Sequence, residues 1–230
     1  MLIYTIAFLI AGSAPASSDT IVVGHKSLRG ATLQLGVDTT EVFVERDGKR
    51  QLVSTGVEKV LQTKDGILVV YESQSRRGPA IDSVTISAST FAPVRHVESF
   101  GKDGATLAYR GGRLTGSKTD STGTRTVDVA VDPTRFDFSV LTQITRALPA
   151  SVGYEAVILT YDVAPMKEKS VTYRVVAQER ITFKGAEVNA FKTETDFGTH
   201  KVSRWMDPKT HRDIKWEIVA PNMHMIGEPK

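Results

Sequence analysis

Residues of types that commonly bind metal ions are frequent in one short part of the sequence, between positions 200 and 224. Two adjacent antiparallel strands would bring His200 and His211 near each other across a turn at Asp207-Pro208. Their spacing does not match His-x-x-x-His or a comparable pattern, so we favour solvent-facing positions on strands and turns. We therefore predict no metal and no cofactor, and a metal-dependent hydrolase is the least favoured alternative. The candidate ligands are His200, Asp207, His211, Asp213 and His224.

Nucleophilic and phosphate chemistry find little support in the sequence. The chain has no cysteine, and no serine stands in a Gly-x-Ser-x-Gly motif. The glycine-rich segments 101–104 and 111–116 lack the Lys-Ser/Thr ending and the following helix of a phosphate-binding loop. We predict that the protein is not an enzyme.

A group of basic residues interleaved with tryptophan raises the question of an anionic partner. Such a patch would suit lipid headgroups or nucleic acid. Acidic residues dilute it, and 29 Lys and Arg against 26 Asp and Glu give a net charge of only +3. We therefore predict an ordinary solvated sheet face and no nucleic-acid partner. The basic residues are Lys201, Arg204, Lys209, Arg212 and Lys215, beside Trp205 and Trp216.

Aromatic residues in the same region indicate either a hydrophobic core or a pocket between sheet and helix. Core filling accounts for most of them, because strands beside a helix need large apolar side chains. A strongly curved sheet covered by one helix nevertheless tends to leave a cavity. If a ligand occupies it, the predicted lining is Phe138, Leu141, Tyr173, Trp205 and Trp216.

The elements that would position these residues are mainly β-strands. Residues 170–220 predict four consecutive antiparallel strands, with Lys184-Gly185 as one tight turn. In the last of these strands, apolar and charged residues alternate, which predicts one buried face and one wet face. The apolar set is Ile214, Trp216 and Ile218, and the charged set is Asp213, Lys215 and Glu217.

The first half of the sequence continues the pattern of strands and turns. Asp47-Gly48 predicts a hairpin, and residues 51–63 predict a bulged strand or two short ones. Residues 76–79 resemble a flexible loop. The Gly-, Ser- and Thr-rich residues 111–123 predict a hairpin with mobile edges, too polar to join the core.

One segment has helical rather than strand periodicity. Five apolar residues between Asp137 and Pro149 fall on one side of a helix, which Asp137 would cap and Pro149 would stop. With no other helix to cover its apolar stripe, this one must pack against the concave face of a curved antiparallel sheet or open half-barrel. The stripe is Val140, Leu141, Ile144, Ala147 and Leu148.

The amino-terminal residues predict export. Residues 2–11 form an apolar run shorter than the roughly 20 residues that span a bilayer, and Ala14-Pro15-Ala16 resembles a signal-peptidase site. We predict a signal peptide at 1–16, a single β-rich domain at 17–230, and no transmembrane segment. Ser13 stands where a bacterial lipoprotein would carry its lipid-bearing cysteine. A cysteine-free exported chain is typical of a periplasmic or secreted bacterial protein with a large core.

A longer pattern resembles the bacterial domain-of-unknown-function 3108 family over about residues 80–220. It comprises Phe136-Asp137, Arg146-Ala147-Leu148-Pro149, Gly153, Lys184-Gly185 and Arg204-Trp205-Met206-Asp207-Pro208. The resemblance implies an extracytoplasmic, mostly antiparallel β protein without an established activity. A looser architectural similarity is to half-barrel lipoprotein carriers, which hold acyl chains between a curved sheet and helices.

Three functional hypotheses follow from the sequence. The first is an exported, non-enzymatic envelope protein that binds a lipid-like or apolar ligand between sheet and helix. The second is an interaction module that binds an envelope protein by strand addition. The metal-dependent hydrolase is the third.

Overall fold

The computed structural model describes residues 18–28, 33–76, 78–220 and 223–230. The signal peptide predicted at residues 1–16 lies outside these residues. The described residues form sixteen strands, one short 3₁₀ helix at Phe138–Val140 and one α-helix, α1, at Leu141–Ala147. The strands are β1 Asp19–Ile21, β2 Gly36–Arg46, β3 Lys49–Thr63, β4 Gly66–Ser75, β5 Gly78–Ile86, β6 Pro93–Phe100, β7 Asp103–Arg110, β8 Arg113–Asp120, β9 Gly123–Ala130, β10 Phe136–Asp137, β11 Glu155–Asp162, β12 Lys167–Phe183, β13 Ala186–Asp196, β14 Lys201–Met206, β15 Asp213–Ala220 and β16 Met223–Pro229.

All the strands belong to one open sheet made of two meanders. Strands β2 to β9 pair in sequence order, and so do β11 to β16. The last strand, β16, joins the meanders by pairing antiparallel with β2, so that Met225 lies opposite Val44. Strands β1 and β10 both pair with β11 in parallel, whereas the other pairings are antiparallel. Because β1 and β9 end the sheet without meeting, the predicted mainly β, open half-barrel fold is confirmed.

Two hairpins form where turn chemistry predicts them. Asp47 and Gly48 have φ angles of 51° and 69°, and Lys184 and Gly185 have φ angles of 49° and 79°. Two consecutive residues with positive φ are typical of the type I′ turn, whose twist matches that of paired strands. Both turns therefore connect neighbouring strands with only two residues, as expected.

Residues 51–63 form one bulged strand and not two short ones. Val42 pairs with Ser54, but the next residue, Phe43, pairs with Leu52. Val53 is therefore the extra residue of a β-bulge, and β3 continues through it for 15 residues.

Two expectations about polar segments were wrong. Strand β8 lies within residues 111–123 and pairs with both β7 and β9, and its Leu114 is fully buried. Because most residues of β8 are polar, the composition of the segment did not indicate that Leu114 belongs to the core. Strands β4 and β5 pair from Ser75 opposite Gly78, so Gly78 and Pro79, which the sequence placed in a loop, belong to β5.

The helical segment starts and packs as predicted. The Asp137 carboxylate accepts a hydrogen bond from the Ser139 N–H at 2.9 Å and so caps the 3₁₀ helix that leads into α1. The helix ends at Ala147, two residues before Pro149. All five residues of the predicted apolar stripe are buried.

The hollow of the half-barrel contains this helix and the largest core cluster. Residues of α1 and the preceding 3₁₀ helix pack with one arm of the sheet, β3 to β5, and with the opposite arm, β11 and β12. Burying one isoleucine such as Ile144 stabilises the fold by about 1.5–3 kcal/mol relative to exposure. The helix therefore joins the two arms, which is the predicted packing on the concave face.

Candidate ligand-binding cavity

A cavity of about 440 Å³ lies beside the helix. We call it the central cavity. Strands β5 and β6 line one wall, residues 138–145 line the base, and the β11–β12 turn, β13 and β14 complete it. Because the lining comes from both arms of the sheet, the curvature of the half-barrel creates this space. Its lining includes Asp82, Glu98, Phe138, Ser139, Leu141, Thr142, Val163, Phe197 and Arg204.

Two more cavities adjoin the central cavity. A second cavity of about 280 Å³ includes Tyr71 and Trp216, and a third of about 320 Å³ includes Tyr71 and Phe100. Asp82 lines all three. The concave face therefore presents one extended basin with Asp82 near its centre.

The five residues predicted to line a ligand site do not all reach this basin. Phe138 and Leu141 line the central cavity, and Trp216 lines the second. Tyr173 is fully buried in the main core beneath the helix. Trp205 lies on the opposite face of the sheet, where its indole N–H donates to Glu179.

The two tryptophans face opposite ways because of cross-strand register. Arg204 pairs with Trp216, and the next residue, Trp205, pairs with Lys215. Successive strand residues point to opposite faces, so Trp216 faces the hollow and Trp205 faces outward. The Trp216 ring lies over Gly227 on β16, where a Cβ atom would come within 2.5 Å of the ring.

A bulge in β15 changes the face on which Asp213 lies. Met206 pairs with Asp213 and Trp205 pairs with Lys215, which leaves Ile214 as the extra residue. Asp213 therefore faces the hollow together with Trp216. The regular alternation expected along β15, with Asp213 on the wet face, was wrong for this reason.

Asp213 belongs to a buried ion network that anchors the helix. The Arg146 guanidinium donates to Asp213 at 3.1 Å and to Glu58, and Arg204 donates to Asp213 and to Thr142. Burial lowers the pKa of Arg146, but Asp213 and Glu58 outweigh it and raise that pKa. Burial by itself would raise the pKa of Asp213, but the guanidinium groups of Arg204 and Arg146 outweigh burial and lower that pKa. Arg146 and Asp213 therefore stay charged, and the network holds α1 to β3 and β15.

Most of the basic residues that were weighed as a patch pair with acidic residues. Arg204 belongs to the buried network, Arg212 pairs with Asp38 at 3.0 Å, and Lys215 pairs with Glu217 at 2.9 Å. Such local pairing leaves little net positive field for an anionic partner.

A second polar network lies at the wall of the central cavity. His96 is fully buried, and its Nδ1 donates to Asp137 Oδ2 at 2.8 Å. The same carboxylate oxygen accepts from the Tyr109 hydroxyl at 2.7 Å. The other ring nitrogen, Nε2, lies 3.5 Å from Asp82 Oδ1 and 3.7 Å from Glu98 Oε2. The imidazole thus connects a buried carboxylate with two that line the cavity.

The electrostatics of this network keep His96 charged. Burial lowers the pKa of His96, but the Asp137 hydrogen bond and the Glu98 and Asp82 carboxylates outweigh it and raise the pKa to about 10. Burial raises the pKa of the Asp82 carboxyl, which the imidazolium and a hydrogen bond from Ser139 only partly offset. His96 lowers the pKa of Glu98 in spite of burial. The His96 imidazolium therefore lies between two carboxylates, Asp82 with a raised pKa and Glu98 with a lowered pKa.

The histidines near the end of the chain have separate partners. His200 stacks on Phe197 with ring centroids 4.8 Å apart, and His211 Nδ1 lies 2.8 Å from the Arg146 carbonyl oxygen. His224 lies 3.2 Å from Glu45. Within the described parts of the chain, no group of three or more His, Cys, Asp or Glu residues has a geometry that would hold a metal ion.

Sequence reasoning missed the His96 network. Asp82, His96 and Tyr109 lie on three strands, and the cross-strand pairs Asp82–Glu98 and Val84–His96 bring their side chains together. No short motif links residues that far apart in sequence. The available signal was a set of polar residues at inward-facing positions of strands whose other inward residues are apolar.

Comparison with known proteins identifies a family whose model matches this chain. Residues 45–219, more than half of the sequence, match the model of a family described as "Protein of unknown function (DUF3108)". The chain belongs to the DUF3108 family. The match begins earlier than the resemblance recognised in the sequence, and the DUF3108 region includes every strand from β3 to β14.

Two solved structures are similar to this DUF3108 chain. One is a hypothetical lipoprotein, YmcC, from Escherichia coli K12, at 8% identity over 84% of this chain and 83% of that one, with a TM-score of 0.29. The other is a candidate lipoprotein from Parabacteroides distasonis, at 13% identity over 86% and 96%, with a TM-score of 0.33. At these scores the likeness carries no functional argument. No curated protein matches the sequence.

No helix among the described residues combines the length and apolar character needed to cross a membrane.

Proposed function

We propose that this chain is an exported, non-enzymatic bacterial envelope protein that binds a lipid-like or other apolar small molecule between its helix and its sheet. The central cavity of about 440 Å³ carries the proposal, because its volume is typical of small-molecule sites. Export rests on the signal peptide predicted from residues 1–16.

The apolar part of the cavity supports an apolar ligand. Phe138 and Phe197 meet edge to face with ring centroids 5.9 Å apart, and Leu141 and Val163 line the cavity beside them. Each methylene group that a ligand buries there contributes about 0.8 kcal/mol. A short acyl chain or a small ring system therefore has a suitable surface to contact.

The polar groups beside the cavity support binding without catalysis. The Ser139 hydroxyl donates to Asp82 at 2.7 Å and is not paired with a histidine that would activate it. His96 is held by Asp137 behind the carboxylates that line the cavity. This arrangement orients polar groups and supplies no activated nucleophile.

Single-tryptophan variants test the site. Trp205→Phe leaves Trp216 as the reporter inside the hollow, and Trp216→Phe leaves Trp205 as a matched reporter on the outer face. A dibrominated fatty acid quenches tryptophan only at close range, so we expect strong, saturable quenching of Trp216 and little of Trp205. Equal quenching of both, together with no adduct in native mass spectrometry, would contradict the proposal.

The open sheet edge favours strand addition as a second candidate function. Among the described strands, β9 pairs only with β8, so its outer edge offers backbone N–H and C=O groups that no described strand pairs. Because the chain has no cysteine, Thr126→Cys on β9 gives a unique crosslinking site, and Gln74→Cys on the interior strand β4 is its control. A reproducible protein adduct from the β9 variant alone would support this function. Identical adduct patterns from both variants would exclude it.

A further inference from the structure

The basin has an apolar region at each end and a polar neck between them. At one end, Phe138, Leu141 and Phe197 line the central cavity. At the other end, Tyr71 and Phe100 line the third cavity, and 41% of Tyr71 and 42% of Phe100 remain exposed. Large aromatic side chains that stay exposed inside a concave surface are typical of a binding site and not of a packed core.

Cross-strand register forms a slot in the third cavity. Tyr71 on β4 lies opposite Asp82 on β5, and Phe100 on β6 lies opposite Ala80, two residues before Asp82. These side chains therefore share one face of the sheet, and two strand spacings of about 4.8 Å each separate β4 from β6. The Tyr71 ring lies over Gly56 on β3, where a Cβ atom would clash with it, so the ring leans away from Phe100. Ala80 therefore forms the floor of an open slot between the two rings.

Charged side chains form the neck between the two apolar regions. Asp82 and Glu98 are a cross-strand pair, and both line the central and the third cavity. Lys118 lines the third cavity, and its ammonium group donates at 2.7 Å to the carbonyl oxygen of Ala164, a residue that lines the central cavity. The same ammonium group lies 3.9 Å from Glu98 Oε1. A hydrocarbon chain that crossed the neck would therefore have to desolvate charged groups.

We propose that the basin binds a two-chain amphiphile, such as a diacylglycerol, with one chain in the central cavity, the other in the slot above Ala80 and the polar centre at the neck. This inference rests on the proposed function and names the class of its ligand. Because the two apolar regions are separate, a molecule whose two chains meet at a polar group fills both. A single long chain would leave one region empty or would lay methylene groups against the charged neck.

Three glycerides test the number of chains: monohexanoylglycerol, dihexanoylglycerol and monododecanoylglycerol. The last two carry the same number of chain carbons, in two chains or in one. Each is titrated below its micellar concentration into the Trp205→Phe variant, and the readout is the emission of Trp216, which lines the adjoining second cavity. Because each buried methylene group lowers Kd about fourfold, we expect dihexanoylglycerol to bind about fiftyfold or more tightly than monohexanoylglycerol. We also expect it to bind about tenfold more tightly than monododecanoylglycerol, whose longer chain meets the neck.

Two substitutions in the same background locate the second chain. Ala80→Leu fills the slot and should remove most of the advantage of dihexanoylglycerol, while the affinity for monohexanoylglycerol changes by no more than about twofold because the central cavity stays open. Phe100→Ala removes one wall of the slot and should weaken dihexanoylglycerol binding about tenfold. Ala108→Leu is the matched control, because Ala108 is half-buried like Ala80 but lies on the outer face of β7, and it should leave both affinities unchanged.

The outcomes distinguish the two proposals. If none of the three glycerides binds, the proposed function fails and this inference fails with it. If monododecanoylglycerol binds as tightly as dihexanoylglycerol, or if dihexanoylglycerol keeps its full advantage in both Ala80→Leu and Phe100→Ala, the two-chain inference is overturned and apolar binding stands. An advantage that is lost in these variants and kept in Ala108→Leu supports the inference.

Discussion

The pH dependence of stability tests the charge that we assign to His96. With a pKa of about 10 in the folded protein against 6.5 for an ordinary histidine, the native state binds a proton that the unfolded chain releases. This raised pKa gives stabilisation that is fully present below about pH 6.5 and is lost as pH rises toward 10. The free energy of unfolding should fall by about 1.4 kcal/mol per pH unit in this window.

The experiment is urea unfolding of the wild type and His96→Gln at pH 7.5 and pH 9. From the slope above, the wild type should lose about 2 kcal/mol between these values. His96→Gln should be less stable by about 3–5 kcal/mol at pH 7.5, because Asp137 loses its buried partner, and should lose much less on going to pH 9.

His200→Gln is the control, because His200 is exposed and lies outside the network. It should keep the wild-type pH dependence and lose at most the roughly 0.5–1.5 kcal/mol of its stacking on Phe197. A wild type with the same stability at pH 7.5 and pH 9, or a His96→Gln variant with the full wild-type decline, would refute the assignment of a buried imidazolium.

Three further substitutions, one of them with a matched control, test the packing around the helix and the sheet. Arg146→Met should cost about 3–5 kcal/mol in urea unfolding, because it leaves two buried carboxylates without this partner; a loss below about 1 kcal/mol would show that the network is solvated. Gly227→Ala should displace the overlying Trp216 ring and shift its emission in the Trp205→Phe background, and unchanged emission would contradict the close approach. Leu114→Ala should cost about 2–5 kcal/mol, whereas Val219→Ala, at a site that is 70% exposed, should stay within about 0.5 kcal/mol; equal effects would place Leu114 outside the core.

Local patterns sufficed for most of the individual elements. The turns at Asp47-Gly48 and Lys184-Gly185 depend on which residues tolerate positive φ, a property of two residues and their neighbours. The helix from Phe138 to Ala147 follows from apolar spacing within a few turns, an Asp cap and a following proline. Because no second helix was predicted, its place in the hollow of the sheet also followed.

The candidate site depended on contacts that local patterns do not encode. A single bulge at Ile214 moved Asp213 from the expected wet face to the buried one, and register placed Trp205 and Trp216 on opposite faces. A one-residue change in register reverses every later side chain in a strand, so small local irregularities decide which residues line a cavity.

The sequence by itself determined the fold class, because alternation and turn residues act over a few positions. Tertiary structure alone decided that β16 closes against β2 and that His96 meets Asp137, residues separated by 41 positions. A buried imidazolium is stable only where several carboxylates converge on it, and that convergence exists only once the strands have paired.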